Sequence, residues 1–528
     1  MTSPEQSPVQ ELAELLRDTD GAPDEPLVHW RDASFTRAEI DAAADALAAQ
    51  LVRAGAAADT AVCALVPSEP IGVVMLFGIW RAGAVCAPLN PRLPEPELER
   101  LIADVRPSVV VRPSNAGGSL VAQVVAWPGE PRHYDDEVAL IMTTSGTTGP
   151  PKRVLLEHQA VLASVDSALR KIRGDAKPAA ERERRAPMPN LVPMPLALWA
   201  GIYNTLFAAR VGAAVILLHP FDTAEFASAV RAFGLKSTVL APPMITMLAD
   251  DPAIVSLEPL RFVRSGTAPL SPREARRFRD RFGVTVLNSY GQTELGGEIV
   301  GWNAADVRTY GDAKLGSVGR PHEGIEMRIV REDGTDAEVD EPGEIWARSP
   351  FVMRGYASDS RALDTRLDDR GFLRTGDIGH TDADGFLWID GRVSDAINRG
   401  GLKVYPADVE EVLRNDDAVA DVCVGGVPDR RVGEVPWAWI VPSPGATIDP
   451  DRLSEACRAR LAPYAVPVRF VVVDALPRND VGKVLRRALI AAAASEIAAS
   501  ETEPTEAAPG DDPGAEVGPT EGSGGAGA

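Results

Sequence analysis

The fold class predicted for this chain is α/β: a large N-terminal domain of layered sheets with helices, a β-rich subdomain after it, and a small α+β C-terminal domain. Two observations predict it. Through about residue 300, segments with helical apolar spacing alternate with short apolar runs of the kind that parallel sheets bury on both faces. From about residue 310 that alternation gives way to short strands punctuated by Gly and Asp turns.

The elements follow in order. VQELAELLRD (9–18) and RAEIDAAADALAAQLVRAG (37–55) carry apolar residues at helical spacing, while TAVCALVP (60–67) and RPSVVVRP (106–113) read as buried strands. FAARVGAAVILLHP (207–220), the helix-like DTAEFASAVRAFG (222–234), the strand STVLAPP (237–243) and RFVRSGTAPLS (261–271) continue the pattern. GIEMRIVREDGTDAEVDEPGEIWARSP and DADGFLWIDGR are short strands joined by turns. After GRVSD (391–395), a helix PADVEEVLR and strands ADVCVGGVP and WAWIVP form a compact unit. The domains expected are therefore 1–392, 393–492 and an acidic tail, 493–528. That tail, rich in Ala, Glu, Pro, Gly and Thr and without an aromatic residue, cannot bury enough apolar surface to offset chain entropy and is expected to be disordered. Beyond Arg487 the chain has eight carboxylates and no Lys or Arg.

Over 528 residues acidic side chains outnumber basic ones 76 to 54, and the net charge of −22 argues against a nucleic-acid partner held on a broad basic surface. Cys63, Cys86, Cys423 and Cys457 form no closely spaced pair, as expected of reduced thiols in a cytoplasmic protein without a zinc site. MTSPEQSPVQ has neither the basic nor the apolar segment of a secretory leader, and no apolar stretch reaches the ~18 residues of a membrane span.

LIMTTSGTTGPPKRV (140–154) turns from an apolar run into hydroxyls and glycines and then presents a lysine. It is not a Walker loop, which needs four residues between its glycines and a hydroxyl after the lysine; here Gly146 and Gly149 are too close and Arg153 follows Lys152. A strand still delivers the hydroxyls of Thr144, Ser145, Thr147 and Thr148, unhindered amides and a cation, all able to hold phosphate oxygens. Alone, such a cluster reads as a solvated turn. YGQTE adds an aromatic plane, a hydroxyl and a carboxylate within five residues, and the seven lysines stand against 47 arginines, with Lys152, Lys403 and Lys483 inside motifs. An ammonium in a chain that otherwise uses Arg suggests a site needing a compact cation.

[ST]-S-G-T-T-G-x-P-K is the signature of the adenylate-forming superfamily, and Thr144 to Lys152 resembles it. NSYGQTE (288–294), LRTGD (373–377), GRVSDAINRGGLKVYPADVE (391–410) and PRNDVGKVLRR (477–487) follow in the family's order, so the resemblance covers nearly all the chain except the tail. It implies an acyl-CoA synthetase using ATP (leaving AMP), Mg²⁺ and coenzyme A on a small-molecule carboxylic acid. Thr144, Ser145, Gly146, Thr147, Thr148, Gly149 and Lys152 would hold phosphate. Gly266, Thr267, Ala268 and Asn288 would complete the nucleotide site, with Tyr290 stacked on adenine and Asp377 on the ribose beside Arg392. Thr293 would contact the α-phosphate, Glu294 would hold the metal and Lys483 would catalyse adenylation. The C-terminal domain, mobile in this family, would then turn to present Gly400, Gly401 and Lys403 to the pantetheine arm.

PLALWAG (195–201) resembles the acyl-pocket segment; Ala197, Leu198, Trp199, Gly296 and Gly297 are expected to line a roomy apolar pocket for a neutral acid. Leu198 replaces a His common in acyl-CoA ligases, and Ser394 stands at the hinge where Asp or Lys is common. Arg153 stands where the family usually has Gly, which raises a second reading: a bulky cation against the β/γ-phosphates would weaken adenylation and leave only transfer from a preformed acyl-adenylate. A carrier-protein thiol as acceptor and, in a different class, a non-catalytic adenylate-binding protein are the other readings.

Overall fold

The computed structural model describes residues 12–17, 21–114, 118–144, 152–173, 187–357, 366–478 and 482–502, with backbone alone at 144, 173 and 498–502. The largest sheet has seven strands in the order Gly355–Tyr356, Lys152–Glu157, Val138–Thr144, Val85–Leu89, Ala61–Leu65, Val109–Pro113 and Ala122–Ala126. Strands Val138–Thr144 through Val109–Pro113 pair parallel, and the remaining neighbours pair antiparallel. Strand alternation sends Val62, Ala64 and Cys86 into one core, and Ala61, Cys63, Leu65, Val85, Ala87 and Leu89 into another. Both faces are covered, which is why AVCAL and VCAPL read as continuous apolar runs.

Helix Pro70–Arg81 is buried from Pro70 through Trp80, packed between this sheet and helix Arg37–Arg53. Being apolar on every side it has no amphipathic stripe, so periodicity does not announce it. Helix Arg37–Arg53 starts at a capping box in which the Thr36 hydroxyl accepts from Glu39 N while the Glu39 carboxylate accepts from Thr36 N. Of the helix expected over 9–18, the described residues contain a short 3-10 turn, Leu12–Glu14.

A second core gathers a parallel three-stranded sheet, Ser237–Leu240, Phe262–Ser265 and Thr285–Asn288, under helices Thr223–Ala232, Pro242–Asp250 and Pro272–Phe282. The β-rich part is an antiparallel sheet ordered Glu326–Val330, Gly343–Arg348, Leu373–Thr381 and Leu387–Arg392.

Beyond it, a five-stranded sheet built on the long hairpin Val419–Asp429 and Gly433–Pro442 packs with helices Pro406–Arg414 and Pro450–Arg460 on one core, and with helix Arg486–Thr502 on another. That last helix runs past residue 492, where the sequence placed the start of the tail, and Ala493 and Ile497 pack into the C-terminal core; residues 503–528 lie outside the described residues. The fold class is the expected one.

A buried ionic network anchors the terminal helix. Glu410 Oε1 accepts from Val424 N and Arg486 Nη2, each at 2.8 Å, and Oε2 from Arg414 Nη2 at 3.1 Å, while Arg486 also pairs with Asp395. Burial pushes the Glu410 carboxyl up, but Arg414 and Arg486 outweigh it and hold it below the usual glutamate range. Its stabilisation is therefore complete above the unfolded glutamate pKa and is lost as pH falls through the lower folded value. Replacing Glu410 by Ala leaves Arg414 without its carboxylate and Arg486 with Asp395 alone, and should destabilise the C-terminal unit by ~3 kcal/mol. Denaturant unfolding of the full chain, followed by hydrogen exchange of the amides in strands Val419–Asp429 and Gly433–Pro442, checks this: an unchanged midpoint for those strands contradicts it.

Candidate active site

A cleft of about 1540 Å³ opens among the seven-stranded sheet, the parallel three-stranded sheet, the β-rich sheet and the C-terminal unit. Strands Val138–Thr144 and Lys152–Glu157 pair with Thr144 opposite Lys152. They deliver both ends of the glycine-rich loop, whose Ser145, Gly146, Thr147, Thr148 and Gly149, like the Thr144 side chain, lie outside the described residues. Lys152 lines the cleft, its ammonium 4.7 Å from the Tyr356 ring centroid.

Arg153 is one residue further along the strand and points to the other face. Its guanidinium lies 3.2 Å from Asp104, at the end of helix Glu95–Val105, and is 17% exposed. This corrects the expectation that a cation at this position crowds the phosphates: the cleft is lined by Lys152, and Arg153 is paired away from it.

Thr293 and Glu294 both line the cleft, at a short 3-10 turn after strand Tyr290–Gln292. Glu294 Oε1 accepts from the Tyr356 hydroxyl at 3.0 Å and lies 3.4 Å from Arg366 Nη2. Among the described residues no group of three or more His, Cys, Asp or Glu could cage a metal. A single carboxylate on the cleft wall does fit Mg²⁺, which typically takes one or two protein carboxylates and fills its shell with phosphate oxygens and water.

Tyr290 stands differently from the expectation. Tyr290 is 9% exposed within the main core, its hydroxyl donates to Asp377 Oδ2 at 2.8 Å, and it is not among the residues that line the cleft, where Gly291 and Gln292 stand. Burial and then Asp377 push its hydroxyl well above the usual tyrosine range, so it remains a donor. The Gln292 amide gives Asp377 Oδ2 a second hydrogen bond at 2.6 Å. Strands Leu373–Thr381 and Leu387–Arg392 place Asp377 directly opposite Arg392, and the Arg392 Nε reaches Asp377 Oδ1 at 2.8 Å. Asp377 is thus buried behind the wall, while Arg392 lines the cleft.

Lys483 also lines the cleft, although its chain segment belongs to the C-terminal unit. Gly482, at φ +80°, makes the approach possible: a Cβ there would come 2.3 Å from Pro243 Cγ. Burial lowers the Lys483 ammonium to about 8, Arg392 adding to the shift and Asp395 and Asp377 opposing it.

Leu198, Trp199 and Gly297 also line the cleft, with Tyr203 and Phe207 from helix Trp199–Arg210. Ala197 is core, and Gly296, at φ +74°, packs on Phe351, so neither faces the space. The pocket is not wholly apolar, because the ion-paired Arg264 and Glu298 also line it. Nothing in the local sequence marks these two, which come from different sheets; Tyr356 and Arg366 were likewise unmarked.

Gly266 and Thr267 line the cleft, Thr267 at φ +70°, a strained conformation of the kind that collects at functional sites. Ala268 and Asn288 do not. Gly400, Gly401 and Lys403 are remote from the cleft: the glycines, at φ +61° and +88°, form the turn before strand Leu402–Val404, and Lys403 pairs with Glu332 of the β-rich part.

Residues 15–357 match the family model described as AMP-binding enzyme, and residues 408–483 its C-terminal domain. An indoleacetate–CoA ligase of Aromatoleum aromaticum is 32% identical over 507 residues, covering 90% of this chain and 96% of its own. A feruloyl-CoA synthase of Amycolatopsis is 32% identical over 471 residues, covering 86% and 93%. The structure of o-succinylbenzoate CoA synthetase from Bacillus subtilis with its acyl-adenylate intermediate superposes with a TM-score of 0.75 at 27% identity, over 90% of this chain and 97% of that one. No helix among the described residues is long and apolar enough to cross a membrane. The order of the motifs, the meeting of Lys152, Thr293, Glu294, Arg392 and Lys483 at one cleft and these matches together make the chain a member of the adenylate-forming superfamily of AMP-binding enzymes, an acyl-CoA synthetase.

Proposed function

We propose that the chain joins a carboxylic acid to the thiol of coenzyme A in two steps at this cleft. The acid's carboxylate oxygen attacks the α-phosphorus of ATP and pyrophosphate leaves; the thiol sulfur then attacks the acyl carbon and AMP leaves. One observation carries the reading: Lys483, from the far end of the chain, lines the same cleft as Lys152, Thr293, Glu294 and Arg392.

The first step brings two anions together and builds charge on phosphate oxygens, so cations already fixed in a partly dry cleft lower its barrier. Lys483 fills that role, with Arg392 beside it and Thr293 as a hydroxyl donor to phosphate. Mg²⁺ held by Glu294 would neutralise phosphate charge. Asp377 would orient the ribose through Arg392, which it holds at the cleft wall. We place a domain boundary at Arg392, and the unit beyond it turning about Val393–Asp395 to bring Gly400, Gly401 and Lys403 to the cleft for the second step. Lys403 would exchange its pairing with Glu332 in that turn. Free coenzyme A is the acceptor in this reading, in keeping with the relatives' names; a carrier-protein pantetheine is the variant to test. Four buried free thiols agree with a cytoplasmic setting.

The direct test supplies a panel of aliphatic, aryl and polycyclic acids with ATP and measures AMP release and thioester separately, with free coenzyme A and with a loaded carrier protein. AMP release and coenzyme A thioester from at least one acid are expected, and chelation of Mg²⁺ should stop both without stopping thioester formation from a supplied acyl-adenylate. Lys483→Ala should lower acid-dependent ATP–pyrophosphate exchange by ~10²–10³-fold, the scale for losing one preorganised charge-stabilising group, while transfer from supplied adenylate is largely retained. Because the ammonium is the active form, exchange in the wild type should fall as pH rises through about 8, and Lys483→Arg should lose that alkaline limb. Arg153→Gly should leave exchange unchanged; a marked rise would restore the reading in which Arg153 obstructs adenylation.

A further inference from the structure

The cleft wall near Trp199 and Tyr203 contains a half-buried charge pair that the two-step chemistry does not use. Arg264, on strand Phe262–Ser265, and Glu298, on strand Gly297–Gly301, meet through Nη2 and Oε1, and their side chains are 19% and 14% exposed. His322 Nε2 lies 3.2 Å from the same Glu298 oxygen, and Ser167 Oγ lies 3.3 Å from His322 Nδ1. The carboxylate rests against bare backbone, since a Cβ on Gly301 would come 2.6 Å from Oε1. Beside the pair stands the aromatic wall: Trp199 and Tyr203 have ring centroids 5.5 Å apart, and the Tyr203 ring lies 3.0 Å from where a Gly297 Cβ would be.

Burial pushes the Glu298 carboxyl up, but Arg264 and then His322 outweigh it and hold it down at about 2. The pair is ionised at neutral pH and its net charge is zero. Among the described residues Arg264 hydrogen-bonds through Nη2 alone, so the rest of its guanidinium remains as donors at the cleft wall. Such a pair is selective in three ways. An alkyl terminus would desolvate it and give nothing back. A second carboxylate would put an uncompensated negative charge beside Glu298. A neutral donor or acceptor would find a charged partner at no net charge.

We propose that Arg264 and Glu298 are specificity-determining residues of the acyl pocket and select acids that carry a neutral hydrogen-bonding group, a hydroxyl, a carbonyl or a ring N–H, at the end away from the reacting carboxylate. Trp199 and Tyr203 enclose the flat apolar body between the two ends. This inference rests on the ligase reading and names its substrate class.

The test uses sets of aryl acids with one ring and chain length, differing only at the far ring position: hydrogen, hydroxyl or carboxylate. Thioester formation with coenzyme A is measured for the wild type, for Glu298→Gln and for the double variant Arg264→Leu/Glu298→Leu. In the wild type the hydroxylated acid should exceed both others in kcat/KM by ~10–100-fold, the scale of a hydrogen bond to a charged group. Glu298→Gln leaves Arg264 uncompensated at nearly constant shape, so the carboxylated acid should gain ~10-fold or more relative to wild type. That switch is one a merely structural role would not produce. The double variant should lose the preference for hydroxyl over hydrogen; because it changes the packing more, the conservative Gln variant decides if the double variant does not fold. Equal kcat/KM across a set in the wild type, or a Glu298→Gln enzyme with the wild-type order of preference, overturns the inference and leaves the ligase reading standing. No thioester from any acid overturns both.

Discussion

The carboxylate of Asp377, 3% exposed, ties three segments of the site together. Oδ2 accepts from the Tyr290 hydroxyl and the Gln292 amide, and Oδ1 pairs with Arg392 across the sheet. A buried carboxylate is tolerable only while such partners hold it, so the strand that carries Thr293 and Glu294 into the cleft, the strand that carries Asp377 and the strand that ends at Arg392 are locked to one another. The turn Val393–Asp395 begins where that lock ends. Asp395 then binds Arg486, three residues beyond Lys483, and Arg486 reaches on to Glu410. A run of charged contacts thus leads from the β-rich sheet to the terminal helix and passes beside Lys483. The depressed pKa of Lys483 belongs to the same arrangement: burial is the larger cause, and Arg392, held in place by Asp377, is the next.

Two adjacent cations show how strand geometry sorts equal charges. Lys152 and Arg153 are neighbours on one strand, so their side chains leave opposite faces. One reaches the cleft and the Tyr356 ring; the other reaches Asp104 on the covering helix. From sequence, Arg153 is a bulky departure beside a phosphate loop. In the fold it belongs to the packing between the sheet and its helix layer, and the case for an impaired first step disappears with it.

The proposed nucleotide-handling groups are easier to read from sequence than the proposed acyl-pocket groups, for a physical reason. Phosphate recognition gathers its groups from short contiguous stretches, a strand and the turn after it, so TSGTTGPPK, YGQTE and RTGD each keep their chemistry within a few residues. The proposed acyl pocket draws on side chains from separate sheets and a helix. Leu198 and Trp199 were found because they are neighbours in one motif, whereas Arg264 and Glu298 are 34 residues apart and look unremarkable in RFVRSG and LGGEIV. Tyr290 marks the limit of motif reading: its identity is in the sequence, but its burial and its hydrogen bond to Asp377 depend on a strand 87 residues away.

By itself the sequence determined the α/β class, the order of the motifs, the switch from parallel to antiparallel architecture after residue 300 and the list of groups able to handle phosphate. Periodicity and local turn chemistry are properties of neighbouring residues, and they survive in a linear string. Tertiary structure decided which face each side chain serves. It hid helix Pro70–Arg81 from periodicity by burying it on all sides, extended the last helix to Thr502 by packing Ala493 and Ile497, and kept Gly400, Gly401 and Lys403 away from the cleft while Lys483 lines it. It also placed a neutral ion pair in a pocket that reads as apolar. Those outcomes depend on contacts between residues tens to hundreds of positions apart, and burial, pairing and charge compensation are set only when such contacts close.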